Sequence, residues 1–222
     1  MGKSGKSEGN VMKTPLGTII NVRQIFGSRY NDFWTWFQKN ESQIYLIRTC
    51  QEPIAVELYR KLKSMNESLT FEVSIPTGDK KKDFVISADG DKKAFPDVVQ
   101  LYESRPKLER WNVIAFRPRR EVTTDLAVGG IALRVDKVRY LLFKEKDPRK
   151  VGVMLFMEGY RESEKSSYAR AGFIMLDGLL GEYDMETLVG AVEFLGNDSK
   201  YFLQSKSITS IRAEFDQFKG KQ

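Results

Sequence analysis

The spacing of apolar positions along the chain changes several times, and each change marks an element. Residues 69–76, "LTFEVSIP", alternate apolar with polar, which places Leu69, Phe71, Val73 and Ile75 on one side of a strand. "TGDKKK" (77–82) is turn-forming and "DFVISADG" (83–90) is a second strand, so 69–90 reads as a hairpin. "FPDVVQLYES" (95–104) reads as a short helix and "WNVIAFRP" (111–118) as a third strand. Residues 131–147 read as one long strand, or two joined near Asp136, and 150–160 as a strand antiparallel to them. Helical spacing returns at 163–184, where Tyr168, Gly172, Phe173, Leu176, Leu179 and Leu180 form a broad apolar stripe that Gly181 ends. Asp184 is then placed as the cap of a second helix running to about Leu195, and a terminal helix is expected within 201–218.

The N-terminal third is patterned differently. "TIINVRQIF" (18–26) is β-branched enough to be extended. In "NDFWTWFQKNE" (31–41), Asn31 or Asp32 is expected to cap a helix. Phe33, Trp34 and Phe37 share a face of that helix and read as core anchors. Trp36 lies off the stripe, which makes it the candidate aromatic contact. Residues 52–67 form an amphipathic helix with Pro53 in its first turn and Ile54, Leu58, Leu62 and Met65 on one side. "LAVGGIALRV" (126–135) lacks the spacing of a dinucleotide loop and marks a turn or bulge. The expected organisation is a flexible polar tail, 1–13, ahead of a single α+β domain, 14–222: a mostly antiparallel sheet packed by helices. A hairpin–helix–strand unit (69–117) followed by a hairpin–helix–helix unit (131–195) suggests a pseudo-repeat, although no residue-level repeat accompanies it.

Composition removes whole classes of chemistry. The chain has 222 residues and no histidine. Ser-His-Asp and Cys-His catalysis are therefore excluded, as are His-ligated metal sites and a histidine pH switch. The single cysteine, Cys50, allows no internal disulfide. Beside "IYLIRT" (44–49) it reads as a small buried hydrophobe. No apolar run reaches the ~20 residues of a membrane span, and "MGKSGKSEGN" lacks the apolar stretch of a secretory signal. The expectation is a cytoplasmic protein with no membrane association. "GKSGKS" lacks the glycine that the phosphate-binding pattern needs five positions ahead of its Gly5-Lys6-Ser7, so it is not read as such a loop.

Charge is unevenly spread around a formal net of +6. Residues 105–120 hold Arg105, Lys107, Arg110, Arg117, Arg119 and Arg120 against one acid. Residues 177–198 hold six acids and no base. The basic stretch is a candidate phosphate or nucleic-acid contact, with a plainer reading as a solvated strand end or the partner of the chain's own acidic pole. A second constellation pairs the turn "SADGD" with the junction "LGEYD": Ser87, Asp89, Asp91, Glu182 and Asp184 form a candidate polar site, able in principle to bind a divalent cation or to act as an acid/base pair. Local roles compete here too, as turn and cap residues.

Three blocks, "FWTWF" (33–37), "VISADGDKKAFPDVVQLYESRPKLERWNVIAFRPR" (85–119) and "IMLDGLLGEYDMETLVGAVEF" (174–194), together resemble a family of bacterial proteins known as a domain of unknown function. The resemblance covers most of residues 30–195. In that family an aromatic-rich helix opens the domain, a Ser-Ala-Asp-Gly turn follows a strand, and a Leu-Gly-Glu motif ends a helix. It implies a single domain and a bacterial origin, and it carries over no activity.

With no catalytic residue, metal ligand or cofactor to name, the leading expectation is a non-catalytic module that binds a protein partner or a ligand. The opposed charge poles suggest a second copy of the chain as that partner. A carboxylate-based or metal-dependent hydrolase is the alternative, and nucleic-acid binding through 105–120 the third.

Overall fold

The computed structural model describes residues 11–13, 19–74, 81–121 and 125–220, with side chains from Arg29 onward. The fold is α+β, and the chain forms two compact units, residues 1–115 and 116–222. Most of the expected tail, the "GKSGKS" stretch and most of the turn expected at 77–82 fall outside the described residues, and Lys82 of that turn already belongs to a strand.

In the first unit, β1 (Val11–Lys13) and β2 (Ile19–Asn21) pair antiparallel. The helix α1 (Val22–Lys39) follows directly, then α2 (Glu41–Tyr45) and α3 (Pro53–Met65). Strand β3 (Thr70–Val73) is antiparallel to β4 (Lys82–Ser87). The helix α4 (Phe95–Glu103) crosses over to β5 (Trp111–Ala115), which lies parallel to β4, giving the order β3-β4-β5. Helix α1 begins some ten residues before the expected cap. Asn31 and Asp32 are thus exposed mid-helix residues rather than caps, and most of the extended segment expected at 18–26 is helical. Phe33, Trp34 and Phe37 are buried as expected. Phe37 packs against Phe84 and Trp111, with ring centroids 5.0 and 5.4 Å away, and the Trp34 indole N–H donates to the Leu101 carbonyl at 2.8 Å.

The second unit opens with β6 (Leu126–Val128) and β7 (Ile131–Leu133), an antiparallel hairpin turned by Gly129 and Gly130. Strand β8 (Arg139–Lys144) is antiparallel to β9 (Val151–Phe156). Next come α5 (Lys165–Leu180), α6 (Glu182–Leu188) and β10 (Val189–Leu195), with β10 parallel to β9. The chain ends with β11 (Lys206–Ser207), antiparallel to β8, and α7 (Ile211–Lys219). The sheet order is β10-β9-β8-β11. The second helix expected to reach Leu195 stops at Leu188, because the segment from Val189 pairs in parallel with β9, a non-local ladder that no local pattern announces.

The suggested pseudo-repeat becomes explicit in strand register. Thr70 faces Ser87 across the first hairpin, and Arg139 faces Phe156 across the second, 69 positions further on in both strands. The same offset relates the turns after β4 and β9. Asp91 N donates to Ala88 O at 3.0 Å and Tyr160 N to Met157 O at 3.2 Å, while Gly90 and Gly159 both take positive φ, +82° and +75°. That conformation costs glycine nothing and is strained for other residues. A helical crossover and a parallel strand follow in each unit. The second half is therefore hairpin–helix–helix–strand, with one short helix more than the first.

Candidate functional site: a groove beside an edge strand

Among the described residues, β3 pairs on one side only. Ser74 N donates to Asp83 O at 3.0 Å, which fixes the alternation of the ladder. The backbone groups of Thr70 and Glu72 face β4, and those of Phe71 and Val73 face outward. A cavity of about 550 Å³ lies along this edge. Its far wall is α3 and the loop before it, through Ile47, Arg48, Cys50, Ala55, Val56 and Tyr59.

The sequence explains why α3 presents apolar side chains to that space. Ala55, Leu58 and Leu62 form its buried stripe. Val56 and Tyr59 lie off the stripe and stay 42% and 46% exposed, and Leu46 just before the loop is 68% exposed. Cys50 is exposed, contrary to the expectation of a buried hydrophobe. Its neighbours Arg48 and Thr49 give their backbone N–H groups to Glu52 Oε1 at 2.9 and 3.0 Å, which turns the loop outward at the start of α3.

A cationic cluster stands where β3 ends. Lys82, buried at the start of β4, donates its ammonium to the Tyr45 carbonyl at 2.6 Å and lies 4.9 Å from the Tyr45 ring centroid. The Arg110 guanidinium stacks 3.6 Å from the same ring. Burial pushes the Lys82 ammonium below its usual range, and the charges of Arg48 and Arg110 push it further, against the weaker pull of Glu52. Three cations thus share a small region with one such carboxylate.

The residues singled out from sequence fall elsewhere. Ser87, Asp89 and Asp91 belong to the first unit, where Ser87 Oγ accepts from Asp89 N at 3.0 Å. Asp91 accepts from Lys93 N and from the Ser68 hydroxyl, so it caps the short turn leading into α4. These bonds lower its pKa, that from Ser68 most. Glu182 and Asp184 belong to the second unit. Glu182 is fully buried. Its carboxylate accepts from Arg117 N at 2.9 Å, and its own N–H donates to Arg117 O at 3.0 Å, a reciprocal clasp on residues 116–120. Asp184 is not the expected cap; it lies inside the first turn of α6 and pairs with Arg119 and Lys219 at 3.0 and 2.8 Å. Among the described residues no cluster of three or more Asp, Glu or Cys is arranged to hold a metal ion.

The basic stretch is divided in the same way. Arg105 stacks on Tyr102, Lys107 faces Glu109 at 3.9 Å, and Arg110 belongs to the Tyr45 cluster. In the second unit Arg119 donates to Leu180 O, Asp184 and Asp216, and Arg120 N donates to Gly178 O. The 117–120 end of the basic stretch thus meets the acidic stretch inside the second unit, while Arg105, Lys107 and Arg110 hold partners in the first. Trp36 is half-buried, with the Lys61 ammonium 5.0 Å from its ring.

No family model, curated protein or solved structure matches the chain. Its function is read from its own geometry. Reasoning from sequence missed Tyr45, Arg48, Val56, Tyr59, Phe71 and Lys82. The one available signal was Val56 and Tyr59, apolar residues on the wrong side of an amphipathic helix. Among the described residues no helix is long and apolar enough to cross a membrane.

Proposed function

We propose that the chain is a non-catalytic binding module whose binding face is the groove between α3 and β3. The observation that carries this reading is an apolar groove of about 550 Å³ beside a strand whose outer backbone groups have no partner strand among the described residues. Concave apolar surface with a few polar groups at its rim is the usual form of a ligand site. An uncovered strand edge is a liability that proteins otherwise blunt or cover. The hydrolase alternative has no comparable support, since Asp91, Glu182 and Asp184 each hold local structural partners.

Cys50 lines the groove and is the chain's only cysteine, so its reaction rate with a thiol reagent reports occupancy. Short linear peptides selected from a random displayed library on the full chain should slow Cys50 modification several-fold. Val56→Asp and Tyr59→Ala, both at exposed positions, should abolish that protection while the chain stays folded. A library that yields no binder, or binders indifferent to both substitutions and to Cys50, would remove this reading.

A further inference from the structure

The second unit carries a worked example of how its equivalent edge is covered. Strand β8 corresponds to β3 at the 69-residue offset, so Val138 and Tyr140 correspond to Leu69 and Phe71. Ile208 N donates to Val138 O at 3.1 Å, which turns the Val138 carbonyl and the backbone groups of Tyr140 toward β11, while the Val138 N–H donates to Val135 O. The Tyr140 groups are the counterparts of those of Phe71, which face outward on β3. The antiparallel segment Lys206–Ser207 pairs with Tyr140 and Arg139, and beyond it a second cavity of about 530 Å³ continues between β8 and α7. Both units thus place a groove between the corresponding strand edge and a helix. The chain itself lays an extended segment on one of these edges, while among the described residues no strand lies on the other.

Resting on the binding reading above, we infer that the occupant of the first groove is an extended peptide segment of a partner protein, added antiparallel to β3 as β11 is added to β8. Charge sets its chemistry. An antiparallel segment has its N-terminal side at the Val73 end, where β3 runs out beside the start of β4. Arg48 lines the groove, as does one acid, Glu72, and the charges of Arg48 and Arg110 reach Lys82 more strongly than that of Glu52 does, so cations outnumber carboxylates at this end. The segment therefore carries an acidic residue toward its N-terminal side. Side chains on one face of the added strand meet Val56 and Tyr59, and those on the other face point away.

The test uses a peptide selected on the full chain as above, resynthesised with single backbone N-methyl groups at each position. Strand addition requires alternate N–H groups of the peptide. N-methylation should weaken binding at least about tenfold at every second position, the equivalent of one lost backbone hydrogen bond, and little at the positions between. Arg48→Glu should weaken binding several-fold and flatten its salt dependence. A peptide that protects Cys50 but shows no period of two under N-methylation would overturn strand addition and leave the binding reading standing. A period of two with no acidic preference and no response to Arg48→Glu would overturn the charge assignment. Failure to select any binder would overturn both readings.

Discussion

Single residues in this chain do work that their type alone does not announce. Tyr140 is fully buried and donates to Glu214 at 2.6 Å, with the Ser210 hydroxyl 3.2 Å away. Burial first, and the bond to Glu214 second, push its pKa up to about 12. The folded state thus favours the neutral phenol. Its contribution to stability is complete below pH ~10, the ordinary tyrosine value, and is lost as pH rises through about 12. Denaturant midpoints measured from pH 8 upward should fall steeply above pH ~10, and Tyr140→Phe should remove part of that fall while lowering stability near neutrality by roughly 1 kcal/mol. A Tyr140→Phe profile parallel to that of the parent chain would refute the assignment. Lys82 is a second such residue. Sequence placed it in a turn, and the fold buries it among other cations at the edge of the groove.

Among the elements, the junction of α5 and α6 shows how a motif that resembles chemistry serves architecture. Gly181 adopts φ +81° and ψ 146°, a region essentially restricted to glycine. A Cβ there would sit 3.3 Å from Arg119 Cγ and 3.4 Å from Arg117 O. Gly181→Ala should therefore cost about 1–3 kcal/mol, measured by urea unfolding. It should also release the clasp of Glu182 on Arg117, seen as faster amide exchange at Arg117 and Arg120. Unchanged stability would mean that the clasp is not rigid. Much at this scale was legible in the sequence. The first hairpin follows from the alternation of 69–76, the second from its two apolar segments around 145–150, α5 from its stripe, and the β6–β7 turn from its paired glycines. What failed was non-local. Leu188, Val189 and Val192 share helical spacing, and the parallel ladder that makes 189–195 a strand comes from β9, some forty residues earlier. The groove escaped for the same reason. Its walls come from 47–50, 55–59 and 70–73, each ordinary alone.

The whole molecule consists of two units built on one plan: a hairpin in fixed register, a helical crossover, and a third strand parallel to the middle one. They differ at the outer edge of the first hairpin strand. In the second unit β11 covers the start of β8; in the first, no strand among the described residues covers β3. Amide hydrogen exchange on the full chain without ligand reads that difference directly. Tyr140 should exchange slowly, held by β11, while Phe71, its counterpart, and Val73 should exchange orders of magnitude faster, as outward-facing edge amides do. Protection of Phe71 equal to that of Tyr140 would mean that the β3 edge is already filled, and would contradict the proposed binding face.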